Sequence, residues 1–393
     1  MTALQDFVFH RIDLANQIAD GLAGGGLADF KSGLFLAAPR RTGKSTFLRS
    51  DLIPACEARG WMSVYVDLWS DREADPADLI SSAIGEALMQ FEGRLSKLAK
   101  TAGIEKLSIL RTVSWDFTKS ALPESATLTH ALELLHQAAG KMVVLIIDEA
   151  QHALTTSAGI NAMFALKAAR DELNQGEGRN GLRLVFTGSS RDKLAHLVLN
   201  SKQPFYGSRI TPFPLLGSDF TQAFSEHLNA RLASTNQLKP EDVKHAFEML
   251  GHRPELLWNI IASVSLGLGA ASNLGELLRD GAETIKQEIW SEFESAYNAL
   301  SLPQRALIEV MAVRAKSEEP FSPFTEKTVQ EFAQVLQRLG SDAQPATTTI
   351  QAAIDVLREK ELVWKSSRGA YALEDKAMAQ WLADRVKGVQ SPT

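Results

Sequence analysis

The first half of the chain alternates between two hydrophobic periods. GLFLAAP (33–39), SVYVDLW (63–69), KMVVLIIDEA (141–150) and LRLVFTGSS (182–190) are short apolar runs rich in β-branched and aromatic residues. Runs of this length and composition predict buried strands. RITPFPLL (209–216) predicts a further short one. Between them apolar positions recur every three to four residues, which predicts helices over 6–22, 46–60, 75–98, 127–140 and 157–175. Asp75 followed by Pro76 is a helix start, because Asp accepts free N–H groups and proline has none to lose. Thr127 or Thr129 caps the helix after that. LSILRTVSWDF (107–117) predicts an inserted strand or hairpin.

Strands alternating with helices up to Leu216 imply a parallel sheet with crossover helices. The pattern then becomes purely helical, over 218–233, 239–250 and 254–266. From 292 to 384 helices precede two strands, LVWKSS and GAYALE, around a turn at Arg368-Gly369. Helices followed by a hairpin make a winged-helix pattern. The expectation is an α/β core over 1–216, an all-helical lid over 217–288 and a winged-helix domain over 289–393.

Composition narrows the class. With 393 residues, 45% hydrophobic and 22% charged, the chain suits an ordinary globular protein of two or three domains. The single cysteine, Cys56, cannot form an internal disulfide, and one cysteine cannot build a zinc site. The eight histidines lack metal-ligand spacing. Polar residues come too early for a signal peptide, and no apolar run approaches membrane-spanning length, so a cytoplasmic protein with no membrane partner is expected. The net charge of −6 means that binding to nucleic acid requires a local basic patch.

Two stretches carry chemistry. In LFLAAPRRTGKSTFLRS (34–50) a buried strand enters a loop at Leu34 to Ala37 and a helix leaves it at Lys44. That order directs backbone N–H groups and a helix N-terminus at an anion. Lys44 then reaches β- and γ-phosphates, Ser45 holds Mg2+ through its hydroxyl, and Thr46 contacts the α-phosphate. Gly43 permits close backbone approach. Ala38 stands where such loops usually open with glycine. The second stretch, VVLIIDEAQ (143–151), is a strand ending in two carboxylates. Asp148 suits Mg2+ held through water, and Glu149 suits the base that orients and deprotonates an attacking water.

With these residues in view, the chain resembles the AAA+ and STAND branch of P-loop ATPases, especially the archaeal-type ATPase family related to origin-recognition initiators. APRRTGKST is similar to that family's Walker A, and LIIDEAQ to its Walker B. VFTGSSR resembles its sensor-1 strand end, PFYGSRITPFPL a later core segment, and GHRPELLW its sensor-2 helix start. The resemblance covers roughly 7–266. It implies that Ala38, Pro39, Arg40, Arg41, Thr42, Gly43, Lys44, Ser45 and Thr46 line the phosphates of ATP. It implies sensor 1 at Ser189, with Thr187, Ser190 and Arg191 as rivals, and an arginine finger at Arg209 acting on a neighbouring subunit. Arg253 or Pro254 meets the nucleotide as sensor 2. Phe9, Arg11 and Ile12 stand where relatives bind the base.

The C-terminal stretch TTTIQAAIDVLREKELVWKSSRGAYALED looks like a recognition helix and wing. Arg358, Lys360, Lys365 and Arg368 suit phosphates of DNA. Acids, among them Glu318, Glu319, Glu359, Glu361, Glu374 and Asp375, leave the region near neutral, so a protein partner suits it as well. Trp290, Trp364 and Trp381 suit the core of this small domain. The expected function is an ATP-binding and hydrolysing ATPase, forming an ATP-dependent homo-oligomer and acting on DNA or a protein. The alternative is a slow nucleotide-dependent switch working through protein contacts.

Overall fold

The computed structural model describes residues 7–25, 29–94, 127–175, 181–266, 273–315, 321–341, 346–367 and 369–390. The hairpin predicted at 107–117, Arg368, Glu318 and Glu319 lie outside them. Strands β1 (Leu34–Ala37), β2 (Met62–Asp67), β3 (Val143–Asp148), β4 (Leu182–Gly188) and β5 (Ile210–Pro212) pair in parallel in the order β2-β3-β4-β1-β5. Every residue of β1, β3 and β4 is buried. Their runs are continuously apolar because both faces of the sheet are covered.

The two-residue side-chain period divides these runs between two cores. Phe35, Leu145, Ile147, Leu184 and Phe186 face one side, against α4 (Pro76–Met89), α5 (Leu128–Ala139) and α6 (Ser157–Leu173). Leu34, Leu36, Val144, Ile146 and Val185 face the other, against α1 (Ile12–Ala23), α2 (Lys44–Phe47) and α3 (Ile53–Ala58). A π turn over Leu48–Leu52 joins α2 to α3. Pro54, which lacks an N–H for the helical ladder, lies two residues past the turn and accounts for the interruption. Asp75 and Thr127 both cap their helices as expected, accepting from the N–H groups of Ala77 and His130.

The first helix begins later than its periodicity predicts. Residues 7–11 are not helical. Phe7 and Phe9 instead pack on Phe220, with ring centroids 6.2 and 5.7 Å away. Both rings are partly buried there, and even a fraction of the ~1.5–3 kcal/mol of a fully buried ring exceeds the few tenths per residue that helix propensity contributes.

After β4 comes α7 (Arg191–Leu199), and after β5 the helices α8 (Ser218–Asn229), α9 (Pro240–Met249), α10 (Pro254–Leu266) and α11 (Leu274–Asn298). Leu274, Leu278 and Ala282 of α11 join the core of α8 to α10, while Tyr297 near its end joins the C-terminal core. One helix therefore runs through both units, across the expected boundary at 288/289. The C-terminal unit is α12 (Leu302–Ala315), α13 (Glu326–Arg338), α14 (Thr347–Glu359), an antiparallel pair of β6 (Val363–Ser367) and β7 (Ala370–Leu373), and α15 (Lys376–Gln390). Among the described residues no helix is long and apolar enough to cross a membrane.

Candidate functional site

The loop between β1 and α2 is held by its own backbone. Ala38 is buried, and its N–H donates to the Gly188 carbonyl at 3.3 Å, so it continues the strand edge. Gly43 has φ +88°, a left-handed conformation that side chains resist. Arg41 adopts φ 66° without being glycine. Thr42 Oγ1 donates to the Pro39 carbonyl at 2.8 Å and closes the turn. Lys44 is only 5% exposed, yet its Nζ donates to the carbonyls of Ala38 (2.8 Å) and Pro39 (3.1 Å). Its hydrogen bonds go to neutral groups, so its charge is not compensated within the loop. Burial lowers its pKa, opposed by the negative charges of Glu149 and Asp148.

The two carboxylates at the end of β3 stand opposite. Asp148 is 1% exposed. Its Oδ2 accepts from Ser45 Oγ at 2.6 Å and from the Tyr65 hydroxyl at 2.9 Å. Its Oδ1 accepts from the Glu149 N–H at 3.1 Å and from the Thr187 hydroxyl. Burial, reinforced by Asp148, pushes the Tyr65 hydroxyl well above the usual tyrosine range. Glu149 has φ 53° and ψ 42°, a left-handed backbone, and its carboxylate has different partners from that of Asp148. Its Oε2 accepts from Ser189 Oγ at 2.7 Å, the Ser189 N–H at 3.3 Å and Gln151 Nε2.

The rivals at the end of β4 are thereby told apart by position. Thr187 faces Asp148, and Ser189 faces Glu149. Ser190 caps α7, accepting from the Lys193 N–H at 3.5 Å. Arg191 turns to the C-terminal unit. Arg40 Nε donates to Ser189 Oγ at 3.3 Å while its guanidinium lies over Trp69 at 5.1 Å. Arg41 pairs with Glu255 at 3.3 Å, both half exposed, a contact of small energy. Asp67, beside Asp148 in register, accepts from the Trp69 N–H at 2.9 Å and ends its strand. Burial raises its pKa.

A cavity of about 280 Å³ opens beside the loop. Phe7, Phe9, Arg11, Phe220, Pro254 and Trp258 line it, together with Gly43 and Thr46. Arg11 is anchored there by its Nη1 on the Pro214 carbonyl at 2.7 Å and by the Phe213 ring at 4.9 Å. Burial lowers its pKa, against the pull of Asp219 and Asp51. Ile12, by contrast, is 54% exposed. Arg209 is exposed just before β5, at the sheet edge.

A second polar cluster begins two residues beyond Ser189. The Arg191 N–H donates to Glu374 Oε1 at 2.7 Å, and its guanidinium reaches the Leu373 and Glu374 carbonyls and lies over Trp364 at 4.9 Å. Asp192 accepts from Arg358 Nε (2.9 Å), Arg358 Nη2 (3.1 Å) and the Lys365 N–H (3.0 Å). Lys193 pairs with Glu361 at 2.5 Å, and Arg253 with Asp375 at 3.2 Å. Arg358, expected on DNA phosphates, is thus spent on Asp192. Trp364, expected in the small domain's core, packs against the core unit, whereas Trp381 is buried as expected.

Sequence reasoning missed Tyr65 and Gln151, and read Glu374 and Asp375 only as acids balancing the tail's charge, not as partners of Arg191 and Arg253. Gln151 had a signal, being two residues from Glu149 in DEAQ. Tyr65 had only its two-residue offset from Asp67 on the same strand face. Nothing local marks the two tail acids.

No protein-family model and no curated protein sequence matches the chain. Solved structures do. The Walker-type ATPase of Pyrococcus abyssi aligns with a TM-score of 0.54 at 17% identity, over 96% of this chain and 97% of its own. The Aeropyrum pernix ORC2 protein in its ADP form aligns with a TM-score of 0.55 at 14% identity, over 98% and 95%. The same protein in ADPNP–ADP complexes gives 0.52 at 14%, over 98% and 97%. At such identities the likeness is one of fold. The chain shares the fold of these proteins along nearly its whole length.

Proposed function

We propose that this protein binds ATP with Mg2+ at residues 38–46 and hydrolyses it, using the nucleotide state to govern self-assembly and action on DNA or a protein partner. The carrying observation is the 2.6 Å contact between Ser45 and Asp148, which joins the loop to the β3 carboxylates across 103 positions of sequence. The residues fit the ligands. A buried ammonium with only carbonyl partners favours an incoming polyanion. A hydroxyl beside a buried carboxylate is a hard-oxygen pair suited to Mg2+. Ser45 and Asp148 would hold the ion, which supplies charge neutralisation to the phosphates. Lys44 and the N–H groups of 41–46 bind those phosphates, and the aromatic cavity takes the base. Glu149 takes the proton of the attacking water. Ser189 orients Glu149, and Arg209 serves a neighbouring subunit. Pro254 packs on the nucleotide, with Arg253 its rival. The working units are 1–216, 217–288 and 289–393, the last two sharing α11 across their boundary and the last a winged helix.

A second reading has its own support. Arg191 and Arg253, both candidates for sensing phosphate, are engaged by Glu374 and Asp375 of the tail. That favours a slow switch in which nucleotide and tail compete for them. Calorimetry and phosphate release test both readings. Glu149→Gln should bind ATP with Mg2+ like the wild type and lose about 10²-fold or more in turnover. Normal phosphate release refutes the base assignment, and absent ATP binding by the wild type refutes the site.

A further inference from the structure

Gln151 is 3% exposed in a short 3-10 turn, Ala150–Thr155, directly after the carboxylates. Its Nε2 donates to Glu149 Oε2 and, at 3.2 Å, to Ser189 Oγ. Glu149 Oε2 therefore has three donors, one of them the Gln151 amide. The amide oxygen, Oε1, is buried without a hydrogen-bond partner. A buried polar atom left so is costly, and such a cost is retained where the arrangement serves something else. The backbone makes room for it. A methyl on Gly188 would lie 2.6 Å from Gln151 Oε1, closer than any real contact, whereas its next neighbour is Leu194 Cβ at 3.4 Å. Gly188 has no left-handed φ to explain it. The glycine at the end of β4 is explained by the amide it admits.

We infer that Gln151 is a positioning residue: it clamps one oxygen of Glu149 against Ser189, so that the side chain stays in one rotamer with its other oxygen turned to the reacting water. This rests on the hydrolytic reading of the site. It assigns Gly188 as the clearance for the clamp. Glu149 needs such a clamp because its left-handed backbone leaves its side chain outside the β3 ladder, held by side chains and one N–H alone.

The test is a double-mutant cycle with a nucleotide-free structural arm. In the crystal structure of Gln151→Ala without nucleotide, the Glu149 carboxylate should leave the Ser189 hydroxyl; a carboxylate unmoved there overturns the clamp. This arm does not depend on ATP being the ligand. In turnover, Gln151→Ala should lower kcat about tenfold or more with KM for Mg·ATP within about twofold, since a base displaced by an ångström loses rate while binding stays. Gly188→Ala should show the same split. The double variant should be no slower than the worse single variant, because with the amide gone the methyl meets only Leu194, at 3.4 Å. Losses that multiply, or a KM rise without a kcat fall, overturn the proposal. Gln151→Asn, too short to span the contact, should behave like Gln151→Ala, and wild-type melting of these variants separates the effect from misfolding.

Discussion

Ser189 and Arg191 are two residues apart, yet they belong to regions built on opposite electrostatic plans. At the loop site, Lys44, Asp148 and Glu149 face one another's charge but direct their hydrogen bonds to neutral partners: carbonyls, hydroxyls, an amide and N–H groups. At the junction between α7, the start of α10 and the C-terminal hairpin, charge meets opposite charge, in Arg191–Glu374, Asp192–Arg358, Lys193–Glu361 and Arg253–Asp375. The first plan leaves charge for a ligand to complete. The second completes itself and fixes the tail on the core. It does so imperfectly, since Arg253 Nε, Glu374 Oε2 and Trp364 Nε1 are buried without hydrogen-bond partners. A junction rich in ion pairs but incompletely satisfied is a weak source of net stability. It is suited to holding an orientation that can be given up.

The contrast can be broken from either side. The largest effect is expected at Lys44→Ala, where ATP affinity should fall about tenfold to a hundredfold or more as a charged hydrogen-bonding group is lost. Unchanged binding in calorimetry would mean that the buried ammonium serves no ligand. Next, Asp192→Ala removes three hydrogen bonds and strands Arg358. It should cost about 1–3 kcal/mol in denaturant unfolding and expose the tail to protease. Exchanging the charges, Asp192→Arg with Arg358→Asp, should recover part of that loss. Equal losses in the single and exchanged variants would show that the pair does not hold the tail. Arg253→Ala sharpens the comparison. The tail anchor should loosen under limited proteolysis while ATP affinity changes by less than about threefold, because Pro254, not Arg253, lines the cavity. A large loss of affinity would move Arg253 to the loop site. Smallest of all, Arg209→Ala should leave ATP binding unchanged and stability within about 0.5 kcal/mol, since the residue is exposed. Its effect should be confined to turnover of the assembled protein, and an unchanged rate there removes the finger role.

The core was legible because its signals are local and repeated. Apolar runs of strand length ending in GKS, DE and GSS place loop, carboxylates and hydroxyls at the same edge of one sheet once the strands are parallel. Asp75 and Thr127 announced their helices through cap chemistry alone. Phe7 and Phe9 were misread as helix because their periodicity fits one. Their burial against Phe220 is a long-range gain that no window of sequence contains. Gln151 was visible in DEAQ, but its use depends on Gly188, which lies 37 positions away and acts through an absent methyl.

By itself, then, the sequence determined which residues carry charge, where a phosphate loop is expected, and in which order strands and helices present them. Period, capping and turn chemistry act over a few residues and are written directly in the chain. Only the tertiary structure decided their partners. Thr187 went to Asp148 and Ser189 to Glu149, while Arg191, Arg253 and Arg358 went to the tail junction. Arginines alike in composition differ in role because a charge acts on whatever folding brings within a few ångströms of it, and that distance is set by the packing of the whole chain.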